Sequence, residues 1–100
     1  MLYAIISQFT PDSLAQRTTA RPAHVERLQA LQERGRLILA GPLPAVDAAD
    51  PGPAGFYGSL IVAEFSSLEE AESWAQSDPY VAAGICAQLT VKPFVKVFPK

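Results

Sequence analysis

The two best strand candidates in this chain are apolar on both of their faces, which excludes any fold that leaves one side of its sheet to water. Leu2 to Phe9 is an apolar, partly β-branched and aromatic run that stops at the breaker pair Pro11-Asp12, the pattern of a buried strand. Within it Tyr3, Ile5 and Phe9 alternate with Leu2, Ala4 and Ile6. In a later run, Tyr57 to Phe65, the residues Tyr57, Ile61 and Phe65 alternate with Leu60 and Val62. Successive strand residues point to opposite sides, so both sides of these strands need cover.

The segments between and after these runs set what that cover is. From about Ser13 the chain is helix-compatible, and from Pro22 to Arg34 the residues Val25, Leu28 and Leu31 recur at helical spacing among Glu26, Arg27, Gln29 and Glu33. Pro22 suits the first turn of a helix and Gly35 its stop. Arg36 to Leu43 reads as a second strand, closed by Pro42 and Pro44. Pro42 to Phe56 holds four prolines and the turn Asp50-Pro51-Gly52, and is expected to be a long irregular loop. Loops of this length in compact domains are usually functional. Ser66-Ser67-Leu68-Glu69-Glu70 opens a second helix, with hydroxyl capping and acidic first-turn residues, expected to run to about Ser77. After Asp78-Pro79-Tyr80 and Val81 to Gly84, the stretch Ile85 to Phe98 is strand-like, and Pro93 implies an edge position or a bend.

The order is β-α-β-β-α-β, the split βαβ arrangement of an α+β, ferredoxin-like fold with an antiparallel sheet, here one domain over residues 1–100. Right-handed crossovers put both helices on one face. The other face is too apolar for a soluble monomer, so a homodimer packed sheet to sheet is expected.

Composition narrows the function classes. Eight basic against ten acidic residues, with no basic run, give no electrostatic footprint for nucleic acid or an anionic membrane. The apolar stretches are too short to cross a bilayer, and Met1 to Ile6 lacks the features of a signal peptide, so a cytoplasmic protein is expected. Cys86 is the single cysteine and His24 the single histidine. No intrachain disulfide or structural zinc site follows from such a pair, no metal or other cofactor is implied, and Cys86 is expected to be a small buried hydrophobe.

His24 is the candidate of most interest, because it stands in line with Leu28 and Leu31 where a further leucine would fit. It is either a satisfied core residue or a titratable group held in a pocket. Asp78 is its best partner, since Ala71, Trp74, Ala75 and Asp78 share a helical stripe if the second helix continues that far. A carboxylate beside an imidazole favours the charged ring and orients one nitrogen, leaving the other as acid or base. Asp78 also lies near the negative end of that helix, unfavourable for an anion unless something else stabilises it. The competing reading makes Asp78-Pro79 an ordinary N-cap and N1 pair. Arg17 and Arg21 flank the start of the first helix and suit a substrate carboxylate or phenolate, with solvated surface charge as the alternative. Ser59, within an apolar strand on the side of Tyr57 and Ile61, and Tyr80 are candidate hydrogen-bond donors to a substrate. No nucleophile elbow or glycine-rich phosphate loop is present.

Arg21-Pro22-Ala23-His24, Leu39-Ala40-Gly41-Pro42, Gly55-Phe56-Tyr57-Gly58-Ser59 and Asp78-Pro79-Tyr80-Val81-Ala82-Ala83-Gly84 together resemble the YCII-related family in order and spacing, over nearly the whole chain. The resemblance implies a dimeric α/β barrel of ferredoxin-like protomers. It also implies a His-Asp active-site pair, matched here by His24 and Asp78, and in some relatives cofactor-free chemistry on small hydroxylated, sometimes chlorinated, aromatics. Three readings follow. An enzyme of lyase, hydrolase or isomerase type would use His24 and Asp78 for acid–base chemistry, with Arg17, Arg21, Ser59 and Tyr80 binding the substrate. A non-catalytic binding or accessory module would use the same cavity. A purely structural His24 would have a protein partner on each ring nitrogen and no cavity beside it.

Overall fold

The computed structural model describes all residues from Met1 to Lys100. Strands β1 (Leu2–Phe9), β2 (Leu37–Pro44), β3 (Phe56–Glu64) and β4 (Cys86–Phe94) form one sheet in the order β2-β3-β1-β4. All three pairings are antiparallel. Helix α1 (Leu14–Glu33) connects β1 to β2, α2 (Leu68–Gln76) follows β3, and the short α3 (Pro79–Ala82) leads into β4. This is the split βαβ order expected from the sequence. The strands carrying proline are β2 (Pro42, Pro44) and β4 (Pro93), which are the two sheet edges, where a missing amide breaks no ladder on the outer side.

Helices α1 and α2 lie on one face. Tyr3 and Ile5 of β1, Ile61 and Ala63 of β3, and Phe65 form a single core with Leu31 of α1 and Ala71 and Ala75 of α2. The two alanines have no accessible surface to speak of, and their small side chains let α2 sit close on the sheet. Ser67 caps α2 by accepting the Glu70 amide, and Glu69 and Glu70 complement the helix dipole. The opposite face stays apolar and uncovered: Ile6 is 40% and Leu39 50% exposed.

Several local expectations are corrected. Helix α1 is unbroken from Leu14, so Pro22 lies in its interior rather than its first turn. The ring removes one donor to the preceding turn, and the cost is moderated because Pro22 is exposed, where water can reach the freed carbonyl. The Pro42–Phe56 loop is shorter than expected, because β2 runs through Pro44 and a single helical turn forms at Gly52–Ala54. Tyr57 is the extra residue of a bulge between Leu43–Gly58 and Pro44–Phe56. It therefore leaves the face of Ser59 and Ile61, is half exposed, and donates its hydroxyl to Gln8. Next to it, Gly58 lets β3 lie close against β1, since a Cβ there would run into the backbone carbonyl of Ser7. The last strand ends at Phe94, short of Phe98, and Cys86 is half-buried rather than sunk in the core, its thiol donating to the Gln88 carbonyl.

Candidate active site

Helix α1 carries Arg17, Arg21, His24 and Leu28 on one stripe, at steps of four, three and four residues, which stacks them along the side facing the sheet. The stripe forms one wall of a cavity of about 350 Å³. Phe9, Ser59, Ile61, Phe56 and Tyr80 line it from the strands and α3, with Ala40, Gly41 and Pro42 from β2. The volume lies within the range of small-molecule sites. Five of the six residues singled out from the sequence, Arg17, Arg21, His24, Ser59 and Tyr80, thus meet around one space.

The sixth, Asp78, sits behind His24. Helix α2 ends at Gln76, two residues before an extended stripe requires, and Asp78 is the N-cap of α3, accepting the Tyr80 amide at 3.0 Å. The same carboxylate lies 2.9 and 2.8 Å from His24 Nδ1 through its two oxygens. The two readings of Asp78 are therefore not alternatives. Capping fixes the carboxylate, and the fixed carboxylate holds the imidazole.

Proton placement follows from chemistry. An ionised carboxylate only accepts hydrogen bonds, so Nδ1 carries the proton, and in the neutral ring Nε2 carries the lone pair. Nε2 has no hydrogen-bond partner in the protein, and His24, although only 8% exposed, lines the cavity. The ring stacks on Tyr80 with centroids 4.2 Å apart and planes 7° from parallel, which fixes its tilt. A structural histidine with both nitrogens satisfied does not match this geometry.

Burial works to raise the Asp78 carboxyl. The hydrogen bonds from His24 and the Tyr80 amide, with the charges of His24 and Arg27, outweigh it and hold the group below the ordinary carboxylate value. Burial lifts the Tyr80 phenol above its usual value, against the pull of Arg21 and Arg17, so it stays a protonated donor at neutral pH. Burial likewise raises the Cys86 thiol.

Two contributors escaped the sequence reading. Arg27 donates to Asp78 Oδ2 at 3.3 Å and to the Trp74 carbonyl at 2.8 Å, and its guanidinium lies 4.3 Å over the Trp74 ring. It supplies the positive charge that lets an anion sit beyond the C-terminal end of α2. The signal was its place one turn after His24, at i+3, masked because a charged residue there also suits a solvated face. Ser7 is the second: its hydroxyl lies 2.9 Å from that of Ser59, both buried, in register across β1 and β3. Two serine residues facing one another at i and j of adjacent strands become visible only once the register is known.

Residues 1–95 match the YCII-related domain. The chain belongs to the YCII-related family. It is 59% identical to Protein YciI of Escherichia coli O6:H1 over 98 residues, which is 98% of this chain and 100% of that protein. It is 48% identical, again over 98 residues with 98% and 100% covered, to an uncharacterized protein of Haemophilus influenzae. Among solved structures it is similar to 5-chloro-2-hydroxyhydroquinone dehydrochlorinase of Burkholderia phenoliruptrix AC1100, seen in complex with 2,5-dihydroxybenzoquinone. That likeness has a TM-score of 0.81 and 29% identity over 95% of this chain and 94% of the other. The family and the ferredoxin-like fold are those that the sequence motifs implied. No helix is long and apolar enough to cross a membrane.

Proposed function

We propose that this member of the YCII-related family is a small-molecule enzyme in which His24 Nε2 takes and returns a proton, with Asp78 as the residue that orients and charge-balances the ring. The observation that carries the reading is the asymmetry of His24: Nδ1 is held by a buried carboxylate while Nε2 is free at the wall of a cavity. In the forward step Nε2 accepts a proton from a substrate C–H or O–H. The electron pair left behind forms a new double bond, and either a leaving group departs with its own pair or the proton returns at another atom. The imidazolium formed in between is stabilised by Asp78. The reaction calls on no cofactor, since only a proton and a pair already on the substrate move. Phe9, Phe56 and Tyr80 make the cavity fit a flat ring, and the similarity to a dehydrochlorinase acting on a hydroxylated aromatic supports that substrate type. Ser59 and Tyr80 serve as donors to its oxygens.

The protein works as a homodimer through the open sheet face, where Ile6, Leu39 and Phe94 remain exposed in a patch that association would remove from water. Its working place is the cytoplasm. A panel of chlorinated and unchlorinated hydroxybenzenes and hydroxyquinones, followed for chloride release and ultraviolet change, tests the reaction. His24→Ala is expected to abolish turnover with the fold intact. If His24→Ala unfolds while Asp78→Ala behaves like wild type, or if ligands bind and are never converted, the enzyme reading fails.

A further inference from the structure

The cavity is electrostatically one-sided. Arg17 and Arg21 line it, and no aspartate or glutamate does. The chain as a whole carries a net charge of −2, so this local excess runs against the protein's average. Arg27 and Arg36 are each committed to a carboxylate, Asp78 and Glu70, whereas neither Arg17 nor Arg21 makes an ion pair. The nearest carboxylate of the machinery, Asp78, is turned behind His24 and already accepts from His24, Arg27 and the Tyr80 amide.

Arg17 is the more telling of the two. Its Nε is closed off from solvent and has no hydrogen-bond partner, the only such buried side-chain nitrogen or oxygen in the protein. A buried donor without an acceptor costs free energy, so the Arg17 guanidinium is held short of its full set of hydrogen bonds. Its guanidinium also lies 4.8 Å over the Phe9 ring, which sets the plane of the fork on an aromatic wall instead of leaving the side chain free in water. Arg21 is exposed at the mouth.

We infer that the cavity is charge-selective: it takes a small organic anion with a flat apolar body, its carboxylate or enolate oxygen on Arg17, with Arg21 drawing it in. This inference rests on the acid–base reading for the other end of the ligand only. Along α1, Arg17 and His24 are separated by about 10 Å at a rise of 1.5 Å per residue. An anionic group on Arg17 and an atom that exchanges a proton with His24 Nε2 therefore belong to opposite ends of the ligand. The fork of Arg17 suits a bidentate, planar oxyanion. Ser59 is left to meet a second oxygen nearer His24.

The test is isothermal titration of the intact protein at pH 7 and low salt. The probes are benzoate, 4-hydroxybenzoate and 2,5-dihydroxybenzoquinone, each set against a neutral analogue of similar shape, with benzamide opposite benzoate. At least one anion is expected to bind tenfold or more tightly than its neutral partner. Arg17→Gln is expected to remove that preference, Arg17→Lys to keep part of it, and Arg21→Gln to reduce mainly its salt dependence. The inference is overturned if the neutral analogues bind as well as the anions, if no anion binds below about 10 mM, or if Arg17→Gln, with an unchanged circular dichroism spectrum, keeps the full preference. The acid–base reading fails by a different route, through turnover of the His24 variants, so charge selection read from binding to the unsubstituted protein stands or falls separately.

Discussion

Replacing Asp78 probes the linkage between capping and ring orientation. In Asp78→Ala three donors lose their acceptor at once: His24 Nδ1, the Tyr80 amide and one Arg27 nitrogen. Asp78 is 6% exposed, so water replaces its carboxylate poorly. Breaking a buried pair from one side costs about 3–5 kcal/mol. Arg27 keeps its bond to the Trp74 carbonyl, which favours the lower end, about 3 kcal/mol. In a domain of this size about 1 kcal/mol moves Tm by roughly 4–8 °C, so Asp78→Ala should melt at least about 12 °C below wild type. Asp78→Asn keeps an oxygen for the Tyr80 amide and gives up the charge, and should fall between the two, nearer wild type. Thermal unfolding followed by circular dichroism at pH 7, at matched protein concentration, reads the series. Asp78→Ala within 3 °C of wild type, or Asn as damaging as Ala, would refute the idea that one carboxylate both caps α3 and holds His24.

Four further outcomes are expected. The Asp78 carboxyl titrates lower in the folded protein than in the unfolded chain, so its contribution is present above the unfolded value near 3.9 and is lost as pH falls through the folded one; acid unfolding of Asp78→Asn should lack that limb, and identical acid profiles would count against it. Arg27→Met, which keeps the stem on Trp74 and drops the charge, should destabilise by about 1–2 kcal/mol and slow turnover through a less firmly held Asp78, as thermal melts and single-turnover rates would reveal. Gly58→Ala should lose several kcal/mol or fail to fold, since its Cβ would overlap the Ser7 carbonyl; a Tm near wild type would show that β1 and β3 separate there at little cost. Leu39→Glu on the open face should yield monomers by light scattering while leaving the fold intact, and an unchanged dimer would place the interface elsewhere.

The fold was readable because each local signal agreed with the next. Alternation in β1 and β3, the serine cap at Ser67 and prolines confined to edge strands all point to one topology. The departures have physical causes that no periodicity carries. Pro22 looks like a helix start, yet the turns before it are helix-competent and its exposed position tolerates the lost amide. Tyr57 has the parity of a core residue, and a bulge in the β2–β3 pairing turns it outward. At the site, His24 and Asp78 were legible as a pair because each was out of place on an otherwise simple stripe. Arg27 and Ser7 were not, because a charged helix residue and a strand serine are each ordinary until the partner across space is known. The partner of Arg27 lies 51 residues away and that of Ser7 lies 52 away.

A single histidine makes the position of the imidazole proton directly measurable. Long-range proton–nitrogen NMR of the uniformly 15N-labelled protein contains one imidazole, with no assignment needed. In the neutral ring the proton is expected on Nδ1, shared with Asp78, with a bare Nε2 whose nitrogen shift moves when a ligand enters the cavity. A ring protonated on Nε2, or an Nε2 shift indifferent to every ligand that binds, would contradict it.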